Sequence, residues 1–443
     1  MKRWFNISMF LAIFLIMAPP APAATLEEAV EYALEHAEAI QISRESAAAL
    51  RARGRQRTAF TRPQVDVDAA WLELWNNAPE NPLFESPERE ISTGASASQL
   101  LWAGGRVREG RRLEKALGRE ANLIVAASER DIREAVRMAF DAVLFHRASV
   151  AILKDRQEQR RAELADANDL WEVGVVTSLD VRQAKLNLNF ASDALTSGEA
   201  DLEDALIQFN LAIGRAVGAG RWSPEGELAD VADPDAVIGR LRAARGDGGL
   251  LDLRARKARA ASAGATREMA KGERWPELRA VTSLETSGEE WGETDESWTV
   301  GVQAQWNVWD GDLTRARRAE ASADLRRAEA ELRRTRKELV AEIDGIIVDI
   351  RSLAGRIGLQ KEAVALSREN YEAARGQYRA GTITLTRLGD FNLNYAEARF
   401  NLLRLYFLLR EQLTRAEAVL SGVLRVFEPD CSNCRKPRPR SRR

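Results

Sequence analysis

Residues Trp298-Thr299-Val300-Gly301-Val302-Gln303-Ala304-Gln305-Trp306-Asn307-Val308-Trp309-Asp310-Gly311 alternate between apolar and polar side chains. Trp298, Val300, Val302, Ala304, Trp306 and Val308 fall on one face, with Thr299, Gly301, Gln303, Gln305 and Asn307 on the other. A dyad pattern over about ten residues has the length and two-sidedness of a membrane-spanning β-strand. A half-buried strand of a soluble sandwich shows the same alternation, so tryptophan placement has to discriminate. Of the 11 tryptophans, eight (Trp71, Trp75, Trp102, Trp275, Trp291, Trp298, Trp306 and Trp309) lie in or at the ends of four strand-like segments. Indoles collect at membrane–water boundaries, whereas a soluble core favours Ile, Leu and Phe. The reading is a membrane barrel, with Trp71, Trp75, Trp102, Trp275, Trp298, Trp306 and Trp309 as interface aromatics.

The same signature occurs earlier in the chain. Trp102-Ala103-Gly104 is followed by Gly174, and Trp309-Asp310-Gly311 by Gly381, each glycine pair 70 residues apart. At this offset of 207, Leu186-Asn187 falls on Leu393-Asn394. Pro63 and Pro276 open the strand regions ahead of each tryptophan. One unit is therefore used twice: a helix, two strands, a very long helix, a tight turn and one more helix. Repeated units that cannot bury their apolar faces alone lean on copies of themselves. The expected organisation is a first repeat over 24–214, with strands near 63–77 and 91–102 and a hairpin tip near 173–180. An inter-repeat segment follows over 215–249, with a short helix from Asp233-Pro234 to Gly246. The second repeat covers 250–424, with strands near 276–287 and 297–309 and a tip near 379–386.

Between strands and tips the period changes. Leu325, Leu332, Leu339, Ile346 and Leu353 recur every seven residues, beside a second stripe of Ile343, Ile350, Ile357, Val364, Tyr371 and Tyr378. The first half echoes this with Val136, Val143 and Val150. Sustained heptads mean helices wound around one another. No proline interrupts either stretch, and about 70 helical residues extend roughly 105 Å, enough to cross much of a periplasm. Each helix ends at a glycine in a turn: Trp171-Glu172-Val173-Gly174-Val175-Val176-Thr177-Ser178-Leu179-Asp180 and Tyr378-Arg379-Ala380-Gly381-Thr382-Ile383-Thr384. Glycine serves as the left-handed cap, and Ser or Thr opens the next helix. Thr25 to Phe60 reads as one further helix.

Composition narrows the function. A net charge of −2 over 443 residues argues against nucleic acid as a main partner, because phosphate binding needs a basic face. Two histidines leave little for a transition-metal site. No nucleophile motif or phosphate loop occurs, so no catalytic residues, metal or cofactor are expected. Lys2, Arg3, the apolar run Trp4–Met17 and Ala21-Pro22-Ala23 read as a secretory signal peptide ending at Ala23. The only cysteines, Cys431 and Cys434, sit in a basic tail over 425–443. In an exported chain they read as a local disulfide or an idle tail.

Four strands cannot close a barrel, and in lipid every strand edge must be paired. Two copies give eight strands with a filled interior; three give twelve strands and a lumen. With these features together the chain resembles the TolC-like outer-membrane efflux proteins. The resemblance is carried by Trp171-Glu172-Val173-Gly174 through Gly214, Tyr378-Arg379-Ala380-Gly381-Thr382 through Gly422, the proline-opened strands and the duplication. It implies a mainly α fold with a transmembrane β portion. Three copies would share a twelve-stranded barrel continued by a long α-helical coiled-coil barrel in the periplasm. It implies the outer-membrane duct of a tripartite efflux or type I secretion system, docked to a periplasmic adaptor and an inner-membrane pump of RND, ABC or MFS type. The family's periplasmic aperture maps onto Asp180, Tyr378 and Asp390, and its adaptor contacts onto Val173, Gly174, Val175, Gly381 and Thr382. Two aperture positions depart from the family: Ile383 replaces an arginine and Arg387 an aspartate. From the residues alone, Asp180 also reads as a helix cap, and Arg387 as a surface charge. The competing functions are a periplasmic adaptor or a coiled-coil structural protein of an export complex; neither has a use for Trp-bounded strands.

Overall fold

The computed structural model describes residues 23–73, 89–215, 222–246, 249–290 and 293–421. The signal segment through Pro22, Trp75, the loop over 76–87, Trp291, Gly422 and the Cys431/Cys434 tail lie outside the described residues. In chain order the elements are β1 (Ala23–Ala24), α1 (Leu26–His36), α2 (Glu38–Thr58), β2 (Gln64–Glu73), β3 (Arg89–Trp102), α3 (Arg106–Glu172) and α4 (Ser178–Ala212). They continue with β4 (Ser223–Pro224), α5 (Pro234–Ala244), α6 (Leu251–Gly272), β5 (Glu277–Glu290), β6 (Glu293–Gln305), α7 (Leu313–Arg379) and α8 (Leu385–Ser421). The stretch expected as one helix from Thr25 to Phe60 is broken at Ala37, whose backbone is extended at φ −65° and ψ 130°. The last two tryptophans of the quoted stretch, Trp306 and Trp309, fall just past the end of β6 rather than within it.

Two compact units are present, and each draws on both halves of the sequence. One contains described residues up to His36, Ala135–Val231 and Leu359–Phe407; the other contains Ala37–Glu134, Ala232–Gly358 and Leu408 onward. The long helices α3 and α7, 67 residues each, contribute to both.

The second unit holds a four-stranded antiparallel sheet in the order β2-β3-β5-β6. Its register sorts the side chains. Val67 lies opposite Ala95, Ala95 opposite Leu284, and Leu284 opposite Trp298. Because directly opposed residues share a face, Val65, Val67, Ala69, Trp71, Ala95, Leu284, Trp298, Val300 and Val302 form one apolar face. Asp66, Asp68, Ser96, Ser283, Thr299 and Gln303 form the other. The apolar face is open: Val67 is 79% exposed and Trp298 76%. The helices of this unit bury their own small core, with Leu113 and Leu117 of α3 against Ala265 of α6, and Leu50 and Met269 packed alongside.

In the helices most positions of the heptad stripes are buried, while Leu325, Leu332 and Val364 are half-buried. Leu339, Ile343, Ile346, Ile350, Leu353 and Ile357 of α7 are buried, as are Val136, Val143 and Val150 of α3. Among the described residues no helix is long and apolar enough to cross a membrane.

The Trp-x-Gly signature has a structural cause at its first occurrence. Gly104 adopts a left-handed φ of 57°. A Cβ there would lie 2.6 Å from the Gly272 carbonyl oxygen and 2.8 Å from the Trp275 ring. Gly104→Ala is expected to destabilise the fold on two counts, left-handed strain of about 1–2 kcal/mol and overpacking of about 1–3 kcal/mol. The midpoint of thermal unfolding by circular dichroism reads the loss.

Candidate functional site

The hairpin tips belong to the first unit. At the end of α3, Gly174 turns left-handed (φ 78°) and its N–H bonds to the Trp171 carbonyl at 3.0 Å. The chain then enters α4 through Thr177. The Thr177 hydroxyl oxygen accepts from the Asp180 N–H, while the Asp180 carboxylate accepts from the Thr177 N–H (2.9 Å) and hydroxyl (2.7 Å). This reciprocal capping box satisfies donors that a helix start leaves open. The Thr177 hydrogen bonds hold the Asp180 carboxyl below the usual aspartate range. The second tip repeats the plan. Gly381 has φ 70°, the Thr382 N–H bonds to the Gln377 carbonyl at 3.0 Å, and the Thr384 hydroxyl oxygen accepts the Arg387 N–H. The two tips lie side by side, since a Cβ on Gly381 would sit 3.1 Å from Val175.

Beneath the tips, Tyr378 is 1% exposed and packs with Ala167, Ala184, Tyr371, Ala374, Leu385 and Leu388. Its hydroxyl makes no hydrogen bond among the described residues. Burial, reinforced by the negative charges of Asp180, Asp166 and Glu163, pushes its pKa up to about 12. Asp180 thus acts on Tyr378 through its charge rather than by a bond, its Oδ2 being engaged in the cap. Arg387 and Asp390 are exposed. The Arg387 guanidinium lies over the Phe391 ring at 5.1 Å, and no ion pair joins it to Asp390 among the described residues.

The polar ties between the two hairpins involve residues that the sequence reading did not single out. Asp166 of α3 accepts from Arg375 (3.1 Å) and Arg379 (2.8 and 2.9 Å) of α7. Glu163, 1% exposed, is paired with Arg160 at 2.7 Å and accepts from the Tyr371 hydroxyl and the Asn392 amide. Burial raises the Glu163 pKa despite the opposing pull of Arg160. A visible clue was the four-residue spacing of Arg375 and Arg379, which puts both guanidiniums on one side of α7. Their acidic partner is more than 200 residues away, and no local pattern announces it.

Asp166→Asn is expected to weaken the tie by about 1–2 kcal/mol, toward the lower part of the range for charged hydrogen bonds because Arg379 is half exposed. Faster amide hydrogen exchange across 371–392 would report it. Thr177→Ala is expected to cost about 1 kcal/mol through the lost cap. The sign with pH follows from the depressed Asp180 pKa: its contribution is present above the ordinary aspartate value and fades as pH falls through the depressed one. The wild-type advantage over Thr177→Ala should therefore shrink in acid, as measured by paired melting curves.

In the sheet unit, Trp102, Trp275 and Trp306 gather where strands meet helices. Trp102 and Trp275 make an edge-to-face pair at 6.4 Å. The Trp306 indole N–H donates to the Arg274 carbonyl at 3.2 Å, and the Arg274 guanidinium lies 4.9 Å from the Trp275 ring centre. Trp71 and Trp298 stand on the apolar face within β2 and β6, and Trp309 is 84% exposed. Among the described residues no cluster of His, Cys, Asp and Glu has the grouping of a metal site.

The structure superposes on CusC, reported for its folding and transmembrane channel formation, with a TM-score of 0.79 at 15% identity over 90% of this chain and 92% of that one. It matches VceC from Vibrio cholerae (TM-score 0.75, 15% identity, 89% and 96% covered) and the open state of MtrE from Neisseria gonorrhoeae (0.73, 16%, 90% and 89%). At such identities the likeness is one of fold. No curated protein sequence matches the chain. Residues 250–424, however, match the outer membrane efflux protein family. The chain thus matches this family in sequence over that stretch, and shares the fold of these channel structures over nine-tenths of its length.

Proposed function

We propose that this protein is the outer-membrane exit duct of a tripartite efflux or type I secretion system, a passive conduit gated at its periplasmic tips. The observation that carries the reading is the sheet: one apolar face, one polar face, and outer edges on β2 and β6 without a strand partner among the described residues. In a bilayer such edges must be closed by sister copies. Three copies make a twelve-stranded barrel with the polar face lining the lumen.

The duplication supplies the register of that closure. Within the chain, Ser96 of β3 lies opposite Ser283 of β5. The offset from Trp102 to Trp309 carries Ser96 onto Gln303 of β6, and the offset from Pro276 back to Pro63 carries Ser283 onto Ala70 of β2. Gln303 of one copy then opposes Ala70 of the next, and both lie on the polar face, as the pleat demands. The variant carrying Gln303→Cys and Ala70→Cys is expected to run as a covalent, outer-membrane-associated trimer after oxidation. Each single variant should show only the native heat-modifiable trimer. A purified wild-type chain that stays monomeric in buffer without detergent would sink the proposal.

At the hairpin tips, Asp180, Tyr378, Arg387 and Asp390 form the aperture region, and Val173, Gly174, Val175, Gly381 and Thr382 offer a docking surface to a periplasmic adaptor, which joins the duct to an inner-membrane pump. Val173 and Val175 support this, being 72% and 55% exposed at the tip although apolar. Val175→Glu is expected to abolish export in cells while leaving the trimer intact on gels. Unchanged export with that variant would remove the first tip from the docking surface.

A further inference from the structure

We infer that Arg274, framed by Trp102, Trp275 and Trp306, is a binding site for the phosphate of an anionic phospholipid in the periplasmic leaflet. The inference rests on the membrane-duct reading above and adds a ligand to it. Three observations place the site. First, the residues meet where the apolar face ends. Trp102 lies opposite Leu278 at the last pairing of β3 with β5, and Trp306 directly follows β6. Second, the arrangement is fixed by contacts. Trp306 is bonded to the Arg274 carbonyl, Trp275 is wedged against the Gly104 turn and stacked edge-on against Trp102, and the Arg274 guanidinium lies over Trp275. Third, the charge is available. Neighbouring arginines are neutralised, Arg106 by Glu277 and Arg317 by Glu273, whereas Arg274 has no carboxylate partner among the described residues and is exposed.

Chemistry then selects the ligand. The three indoles, 43–60% exposed, present rings to the level where acyl chains give way to headgroups. A guanidinium held beside them offers a planar fork of donors that suits a phosphate. The opposite ends of β5 and β6 carry acids instead, among them Glu285, Asp295 and Glu296. Anionic lipid is therefore favoured at the helical end of the sheet and disfavoured at the other.

The test uses the full mature trimer, purified and placed in nanodiscs containing phosphatidylcholine with or without phosphatidylglycerol, with retained lipid counted by native mass spectrometry. Wild type should retain phosphatidylglycerol preferentially, and high ionic strength should erode the preference. Arg274→Gln should weaken retention about fivefold, the equivalent of ~1 kcal/mol for one cation at the lipid surface, and Arg274→Lys should restore part of it. Free glycerol phosphate should not compete; competition at equal concentration would make this a soluble-anion site and overturn the lipid assignment. Equal retention by wild type and Arg274→Gln trimers, or a wild-type preference indifferent to salt, would also overturn it while leaving the barrel reading intact. A wild-type chain that inserts into neither bilayer would remove both.

Discussion

Backbone amides and carbonyls along the outer margins of β2 and β6 have no ladder partner among the described residues, and the face beside them is Trp- and Val-rich. Water could solvate those groups, but then the apolar face would be exposed; a bilayer would cover the face but cannot solvate the edges. The proposed assembly, which brings β6 of one copy to β2 of another, satisfies both demands. The duplication makes this possible with little new chemistry, because the junction between β3 and β5 already solves the same pairing problem inside the chain.

The helical part answers a different requirement. Two helices of 67 residues cannot be stabilised by propensity alone; they are held by heptad stripes that bury Ile and Leu on α7 and Val on α3. Near the tips these give way to tyrosines and buried charges. Glu163, Asp166, Arg160 and Asn392 are almost fully buried, an expensive choice unless each group is matched. Tyr378 is buried there with an unbonded hydroxyl. The tip is held both by the apolar cluster around Tyr378 and by the directional bonds of Glu163 and Asp166.

Glycine and tryptophan link these parts. Gly104 lets the end of β3 approach α6 closely enough for Trp275 to sit against the turn, and Trp275 in turn positions Arg274 and meets Trp102. Gly174 and Gly381 supply the left-handed residue on which each hairpin reverses.

Strand alternation, heptads, capping glycines and the internal duplication are local or periodic, so they were legible along the chain, as were the hairpin turns with their Thr caps. The break at Ala37 was not, because Ala37 carries no breaker signal. Nor were the compact units: each mixes segments of both repeats, since contact follows helix packing rather than chain order. The capping role of Asp180 was among the readings the sequence offered, whereas the pairing of Asp166 with Arg375 and Arg379 was decided only in three dimensions. Ion pairs between residues more than 200 positions apart depend on which helix faces meet, and sequence spacing carries no information about that register.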